Sequence, residues 1–231
     1  MPFFKLYLEI IFNDLKQPSP GTIFRIPPDS SCNIVAMPYI DESRRIEDCV
    51  TALFQFNFNG KLVYHNFEHT RKVADRAGEI ARFYGLDDEQ VLIISASAWF
   101  HDIGYLFVGP KEHEQESVRV MKEFVSDIIS TPGLIEKIAQ CIMATKRSTD
   151  PVSVAEKIVC DADTYHFGTI EFRQTDPLIR KEIELLTGKV QTDWITNSIK
   201  MLRNHQFYTS YCKERLDEGK AQNIEWLQSL L

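Results

Sequence analysis

The chain has 231 residues, of which 44% are hydrophobic and 26% are charged, and its formal net charge is −7. This composition is that of an ordinary globular protein with enough length for one sizeable core. The acidic balance argues against a broad nucleic-acid-binding surface, although a local basic pocket for one phosphate is compatible with it. No segment is predicted to be long enough to span a bilayer, so we expect neither nucleic acid nor membrane as a partner.

Neither the cysteines nor the first residues indicate export. The five cysteines are odd in number and lack CxxC spacing, which predicts free thiols in a reducing compartment. The apolar stretch near the start is interrupted by Lys5 and Glu9, and no small-x-small cleavage site follows it. We therefore expect a cytoplasmic protein.

Residues 1–40 are predicted to differ from the rest of the chain. They begin with an amphipathic helix that ends before Pro18 and continue as a proline-rich arm up to Pro38. Residues 41–231 show mainly helical periodicity and no composition typical of a linker. They are predicted to form a single helical core domain.

The helices of this core can be followed along the sequence. One is predicted from Asp41 towards Phe58, and Asn66 can cap a second that ends near Phe83. A third starts at Asp87 and is apolar nearly throughout. Further helices are predicted at roughly 113–129, 131–145, 152–167, 176–186, 193–211 and 221–231. Because no alternating strand pattern occurs, the predicted fold class is all-α.

The pair His101-Asp102 ends the apolar third helix and is the most informative feature of the chain. An imidazole and a carboxylate at the end of a buried helix need partners, because unpaired charge is costly in a low dielectric. A divalent metal ion would satisfy both groups. Two other fragments could complete its ligand shell, namely 64–70 and 160–163. Imidazole and carboxylate ligands without thiolate suit Mn, Fe, Co, Zn or Mg.

Histidines and aspartates in these two fragments have the required character. His65 and His69 are four residues apart, which places both imidazoles on one face of a helix. Asp161 and Asp163 stand between apolar and aromatic residues, where a carboxylate needs a cation or several hydrogen bonds. A helical scaffold without a site is the alternative, if protein groups alone satisfy these side chains.

The motifs in this order resemble the HD superfamily of metal-dependent phosphohydrolases. The string Tyr64–Thr70 is similar to the first motif of the YHNxxHT branch, and Ala98–Tyr105 is similar to the motif that names the superfamily. His113-Glu114 with Ser117 resembles the HExxS segment that follows. The resemblance extends over residues 62–231 and also includes these later segments: 144–146, 161–163 and 204–209.

The resemblance implies roles for particular residues. One metal ion would be held by four of them: His69, His101, Asp102 and Asp163. Asp163 is preferred to Asp161 because the family ligand is the second aspartate of such strings. The residues implied in catalysis are His65, which matches a proton donor to the leaving group, and Asp102.

A second metal ion is less well supported by the resemblance. His113 matches a residue that helps to hold it in dinuclear relatives, but Ala144 and Thr145 stand where those relatives have a further histidine. Lys146 is predicted either to bind a substrate phosphate as a point cation or to be a surface lysine.

The predicted function is hydrolysis of a phosphoester or phosphoanhydride in a nucleotide-like small molecule, with a divalent metal ion as cofactor. One alternative is a cyclic-nucleotide phosphodiesterase, which the string Tyr64-His65-Asn66 favours and the missing second-metal histidine disfavours. Another is a regulatory module that binds a nucleotide without turnover. The expected partner is a small phosphate substrate, and an oligomer is compatible with the sequence.

Overall fold

The structure, a computed structural model, describes residues 39–131 and 133–231, and this part of the chain is helical without a β-strand. The first helices are α1 (Ile40–Phe56), α2 (Phe67–Phe83), α3 (Asp88–Phe100), α4 (Tyr105–Val108) and α5 (His113–Val125). They are followed by α6 (Leu134–Ala144), α7 (Val154–Asp163), a 3-10 turn (Tyr165–Gly168), α8 (Phe172–Thr187), α9 (Trp194–Asn204) and α10 (Ser210–Gln228). The predicted all-α fold class is confirmed.

The predicted N-terminal helix and proline-rich arm lie outside the described residues. The described residues belong to one compact unit. The domain boundary predicted between residues 40 and 41 stays a prediction.

Helix α3 is the centre of the core. It packs against α1, α2, α5, α6 and α7, and its residues are apolar on every side, as expected for a helix surrounded by others. Its start is fixed by a capping box, in which the side chain of Asp87 accepts a hydrogen bond from Gln90 N and the side chain of Gln90 accepts one from Asp87 N. The helix can therefore hold the pair that follows it in a defined position.

The segment Asp88–Val108 corrects one expectation from the sequence. In the described part of the chain it comprises α3, the turn that follows and α4, and these 21 residues are long and apolar enough to cross a membrane by length and composition. The prediction that no segment has this length is therefore wrong. However, 67% of its apolar 18-residue stretch is buried inside the protein, as expected for the core helix α3. It is thus only weak evidence for a membrane span.

The turn after α3 is held against the start of α5 by Gly104. The backbone N–H of Gly104 donates a hydrogen bond to Ser117 Oγ at 2.8 Å, and Ser117 is fully buried. A Cβ atom on Gly104 would lie 2.0 Å from the carbonyl oxygen of His113. Glycine is therefore required because a side chain would not fit. The backbone conformation does not require it, since the φ of −57° is an ordinary helical value.

The end of the chain differs from the sequence-based prediction. The helix predicted over 193–211 ends at Asn204, and the last helix begins at Ser210 rather than near residue 221. The break is stabilised by the buried carboxylate of Asp161, which accepts hydrogen bonds from the backbone N–H groups of Tyr208 and Thr209, both at 2.8 Å. Thr209 then caps α10 by accepting a hydrogen bond from the backbone N–H of Cys212.

Smaller differences concern other helix ends. The helix predicted over 113–129 ends at Val125, and the one predicted over 152–167 divides into α7 and the 3-10 turn. The helix predicted over 176–186 begins earlier, at Phe172, and carries Pro177 inside it. The four cysteines in the described residues are buried free thiols, as predicted: Cys49, Cys141, Cys160 and Cys212.

The contact at Gly104 generates a stability prediction. Gly104→Ala should lower the free energy of unfolding by about 1–3 kcal/mol, because the methyl group meets a backbone oxygen that has no rotamer to move to. Gly78→Ala is the matched control in α2, where the new Cβ would lie 3.5 Å from the flexible end of Arg82. It should stabilise the protein by about 0.5–1 kcal/mol. Urea unfolding followed by circular dichroism measures both, and equal stability of the two variants would contradict the packing argument.

Candidate metal centre

His69 is placed by the start of α2. The side chain of Asn66 caps this helix by accepting hydrogen bonds from the backbone N–H groups of Glu68 at 3.0 Å and His69 at 3.2 Å. The cap fixes the direction of the first turn, to which His69 belongs. The imidazole of His69 is 8% exposed, and its Nε2 makes no hydrogen bond.

His101 and Asp102 follow directly after α3. The fully buried ring of His101 makes a hydrogen bond through Nδ1 to the carbonyl oxygen of Ala98 at 2.8 Å. Since a carbonyl can only accept, Nδ1 carries the proton, and the lone pair of a neutral ring is on Nε2. This Nε2 is also buried without a hydrogen bond.

Four side chains converge on one point. His69 Nε2 lies 3.4 Å from both Asp102 Oδ2 and Asp163 Oδ1. His101 Nε2 lies 3.1 Å and 3.5 Å from the same two oxygens. One ligand atom from each of the four residues lies within 4.8 Å of the others. The structure therefore brings together the four side chains that the resemblance implies as metal ligands.

These distances fit a shared metal ion. Four nitrogen and oxygen ligands at about 2.0–2.2 Å from one ion, arranged as a tetrahedron, lie about 3.4 Å from one another. The two orphaned imidazole nitrogens are a second argument, because a buried polar atom without a partner is rare and costly. Two imidazoles with two carboxylates suit Mn, Fe, Co or Zn, and the geometry does not select among them.

The charges in the cluster depend on one another. Burial disfavours the ionised form of Asp102, but His101 and His113 outweigh it and hold the pKa of this carboxyl well below its usual range. Burial likewise opposes protonation of His101, yet Asp102 and Asp163 raise its pKa well above the ordinary value. The two carboxylates thus attract protons to the imidazoles, and a cation can take the place of those protons.

His65 lies at the edge of the cluster and is held by a residue that the sequence analysis missed. Its Nε2 is 3.9 Å from Asp102 Oδ2, and its Nδ1 forms a hydrogen bond with a carboxylate oxygen of Glu182. The other oxygen of Glu182 accepts from the backbone N–H groups of Tyr64 at 2.8 Å and His65 at 2.9 Å. The imidazole also stacks on the ring of Tyr105, with ring centres 3.9 Å apart.

Glu182 could not be recognised in the sequence. It lies on α8 and is fully buried, 117 residues from His65, and no motif surrounds it. Burial raises the pKa of a carboxyl, but the hydrogen bond from His65 and the two backbone N–H groups outweigh it and lower the pKa of Glu182. A buried, ionised partner for His65 follows from the tertiary fold alone.

The remaining predicted residues occupy different places. His113 Nε2 lies 3.3 Å from Asp102 Oδ1, whereas His69 and His101 lie near the other oxygen, Oδ2. Lys146 lies instead beside Gln115: with the amide oxygen turned towards the lysine, the two groups are 2.9 Å apart. Within 39–131 and 133–231, no ion pair joins Lys146 to the cluster.

Asp161 is outside the cluster. In addition to the two backbone N–H groups, its carboxylate accepts a hydrogen bond from the hydroxyl of Thr209 at 2.6 Å. Its oxygens are therefore committed to the loop before α10. This arrangement supports Asp163, rather than Asp161, as the proposed ligand.

A buried cluster of two histidines and two aspartates in an all-α fold makes this protein a candidate metalloprotein. A model of the HD domain family matches residues 66–168, a segment that includes all four clustered residues. Residues 66–168 therefore form an HD domain, and the predicted resemblance to the HD superfamily is confirmed over this segment. HD domains bind divalent metals, in agreement with the cluster; the YHNxxHT branch stays a prediction.

Two solved structures share the fold. A protein from an uncultured Thermotogales bacterium, described as a predicted HD superfamily hydrolase, is 16% identical, with 85% of this chain and 94% of that chain covered and a TM-score of 0.54. A protein from Lactobacillus plantarum is 15% identical, with 83% and 95% covered and a TM-score of 0.61. At these identities the likeness establishes the fold alone. No curated protein sequence matches the chain.

The two neighbouring aspartates give a paired prediction. Asp163→Ala should remove most of the bound metal and leave the fold stable, because it deletes a carboxylate of the cluster. Asp161→Ala should retain the metal and lower the free energy of unfolding by about 1–3 kcal/mol, since it leaves buried N–H groups unpaired. Elemental analysis and urea unfolding measure these effects. Metal loss in Asp161→Ala with full retention in Asp163→Ala would reverse the assignment.

Proposed function

We propose that this protein is a metal-dependent phosphohydrolase that cleaves a phosphoester or phosphoanhydride of a nucleotide-like small molecule. The observation that carries the proposal is the buried cluster in which His69 Nε2 and His101 Nε2 have no hydrogen bond and face two carboxylates. The HD domain over residues 66–168 supports a hydrolase of this kind, and so does the shared fold with a protein described as an HD superfamily hydrolase.

The ion would be held by the four clustered residues: His69, His101, Asp102 and Asp163. A bound divalent ion supplies an activated water and polarises a phosphoryl oxygen. The chain itself has to position the phosphate and neutralise its charge, which is most of what phosphoryl transfer requires from a protein. Asp102 has a central place, because its two oxygens face different histidines.

His65 is the proposed general acid. Glu182 holds the Nδ1 side of the ring by a hydrogen bond, so Nε2 is the atom that would donate a proton to the departing oxygen. The stacking on Tyr105 limits rotation of the ring. Because Nε2 is 3.9 Å from the nearest oxygen of Asp102, His65 lies beside the proposed ion without joining its ligands.

We further propose that only one ion is held tightly. A second ion would find His113 and the outer oxygen of Asp102, but few other ligands. The hydroxyl of Thr145 donates to the carbonyl oxygen of Ile142 at 2.8 Å, and Ala144 has no ligand atom in its side chain. Lys146 remains a proposed contact for substrate phosphate.

Activity on a panel of phosphate compounds tests the proposed function. The purified protein, supplied with Mn²⁺ or Co²⁺, should release phosphate from nucleotides and from nitrophenyl phosphate. Opening of a cyclic nucleotide as the preferred reaction would instead indicate the phosphodiesterase. Nucleotide binding without any turnover would indicate the regulatory module.

Variants of His65 and Glu182 test the mechanism. His65→Ala should keep the metal and the fold and lower kcat on a nucleotide by roughly a hundredfold or more, the usual scale for a positioned general acid. Nitrophenolate needs little protonation to leave, so nitrophenyl phosphate should lose much less. Glu182→Gln should give an intermediate loss, because the imidazole of His65 loses the carboxylate that holds its Nδ1 side. Equal losses on both substrates would exclude His65 as mainly a proton donor.

A further inference from the structure

A cavity of about 400 Å³ opens beside the metal centre, and most of its wall has no part in the proposed mechanism. His69 and Asp163 line it, so a molecule in the cavity would reach the cluster. Its volume falls within the range of small-molecule pockets, about 300–1,000 Å³. The cavity is therefore large enough for the part of a substrate that extends away from the scissile phosphate.

One face of α2 brings two cations to this cavity. His69, Lys72 and Arg76 follow at intervals of three and four residues and all line its wall. With a rise of 1.5 Å per residue, Lys72 and Arg76 lie about 4.5 Å and about 10.5 Å along the helix axis from His69. The guanidinium of Arg76 is oriented by Glu79 at 2.8 Å and lies 4.5 Å from the centre of the Tyr165 ring.

Two of the carboxylates in the wall are already paired. Glu68 and Asp75 both bind the guanidinium of Arg71, at 2.9 Å and 3.0 Å. Arg71, which does not line the cavity, therefore offsets one of their two negative charges. The two carboxylates consequently oppose an anion on the Lys72 side less than two unpaired carboxylates would.

Glu171, another carboxylate in the wall, competes only weakly for Lys72. Glu171 lies 3.8 Å from Lys72 Nζ, and the two side chains are 48% and 51% exposed. An exposed ion pair at such a distance contributes little free energy, so an incoming anion can displace it. Lys72 is therefore available to a ligand at modest cost.

On the basis of the function proposed above, we propose that Lys72, assisted by Arg76, binds a second anionic group of the substrate. This group is a phosphate or carboxylate distinct from the phosphate that is hydrolysed. It would lie one to two helical turns from the scissile phosphate, as the spacing of Lys72 and Arg76 from His69 requires. The pocket would accordingly favour substrates with two anionic groups over simple phosphomonoesters.

Two pairs of probes test this preference. Adenosine 3′,5′-bisphosphate is compared with adenosine 5′-monophosphate, and 3-phosphoglycerate with glycerol 3-phosphate, so that the two sources of the second charge are distinguished. Lys72→Met should lower kcat/KM about tenfold on at least one doubly anionic probe, mainly through KM, since it removes a charge-assisted hydrogen bond. The singly anionic partner should change less than about twofold. Lys72→Arg should retain most of the activity on both.

Two further variants separate recognition from a structural effect. Lys200→Met removes the same charge from an exposed position on α9 that does not line the cavity, and it should leave the preference unchanged. Glu171→Gln removes the competing carboxylate and should raise kcat/KM on the doubly anionic probe by about twofold or more. A purely structural role of the Lys72–Glu171 pair predicts that both Lys72→Met and Glu171→Gln lower activity.

The outcomes separate this inference from the proposed function. Absence of wild-type hydrolysis with every probe would contradict the proposed function, whereas equal losses on both members of each pair would overturn only the role of Lys72. Calorimetric titration of metal-loaded His65→Ala protein with adenosine 3′,5′-bisphosphate gives the same comparison with turnover slowed. Equal affinity of His65→Ala protein with and without Lys72→Met would also overturn it.

Discussion

Two imidazoles and two carboxylates share one buried point, and the rest of the structure depends on the electrostatic demand that they create. In a low-dielectric interior, two ionised carboxylates are costly unless cations compensate them. The carboxylates raise the pKa of His69 and His101, and the imidazoles lower the pKa of Asp102 and Asp163, so without a metal ion protons would partly meet this demand. A divalent ion would meet it more completely, because it would also bind the two Nε2 atoms that have no hydrogen bond.

Local devices far apart in the sequence hold this point in place. Asn66 caps α2 and thereby directs His69. The hydrogen bond between Gly104 and Ser117 fixes the turn after α3 against α5. Asp161 binds the loop before α10, which keeps the end of α7 and the last helix together. The capping residue, the glycine and the buried carboxylate thus act on structure, whereas His69, Asp102 and Asp163, two or three residues away from them in the sequence, belong to the cluster.

Local patterns were sufficient to predict much of the fold and the cluster. Helical periodicity and capping signals located most helices, and the fragments around His69, His101 and Asp163 carried their own motifs. From the sequence, Asp163 could be preferred to Asp161 only through the resemblance. In the structure, the two differ because both oxygens of Asp161 already accept hydrogen bonds from the loop before α10.

Features that depend on tertiary contacts were not predictable. Glu182 meets His65 only because α8 packs near the start of α2, and nothing in the surrounding sequence marks a buried glutamate. The break before Ser210 was missed because its cause, Asp161, is 48 residues away in the sequence. Lys72 lies outside the motifs of the metal cluster, and its place in the wall of a cavity depends on the 3-10 turn and α8, which contribute other parts of that wall.

Anomalous X-ray diffraction from crystals grown with Mn²⁺ tests the central claim most directly. We predict one strong anomalous peak at coordination distance from His69 Nε2, His101 Nε2 and one oxygen each of Asp102 and Asp163, with at most a weak second peak near His113. No peak at this position, with water or protein groups bonded to both Nε2 atoms, would contradict the metal centre. Two equally strong peaks would contradict the single tightly held ion.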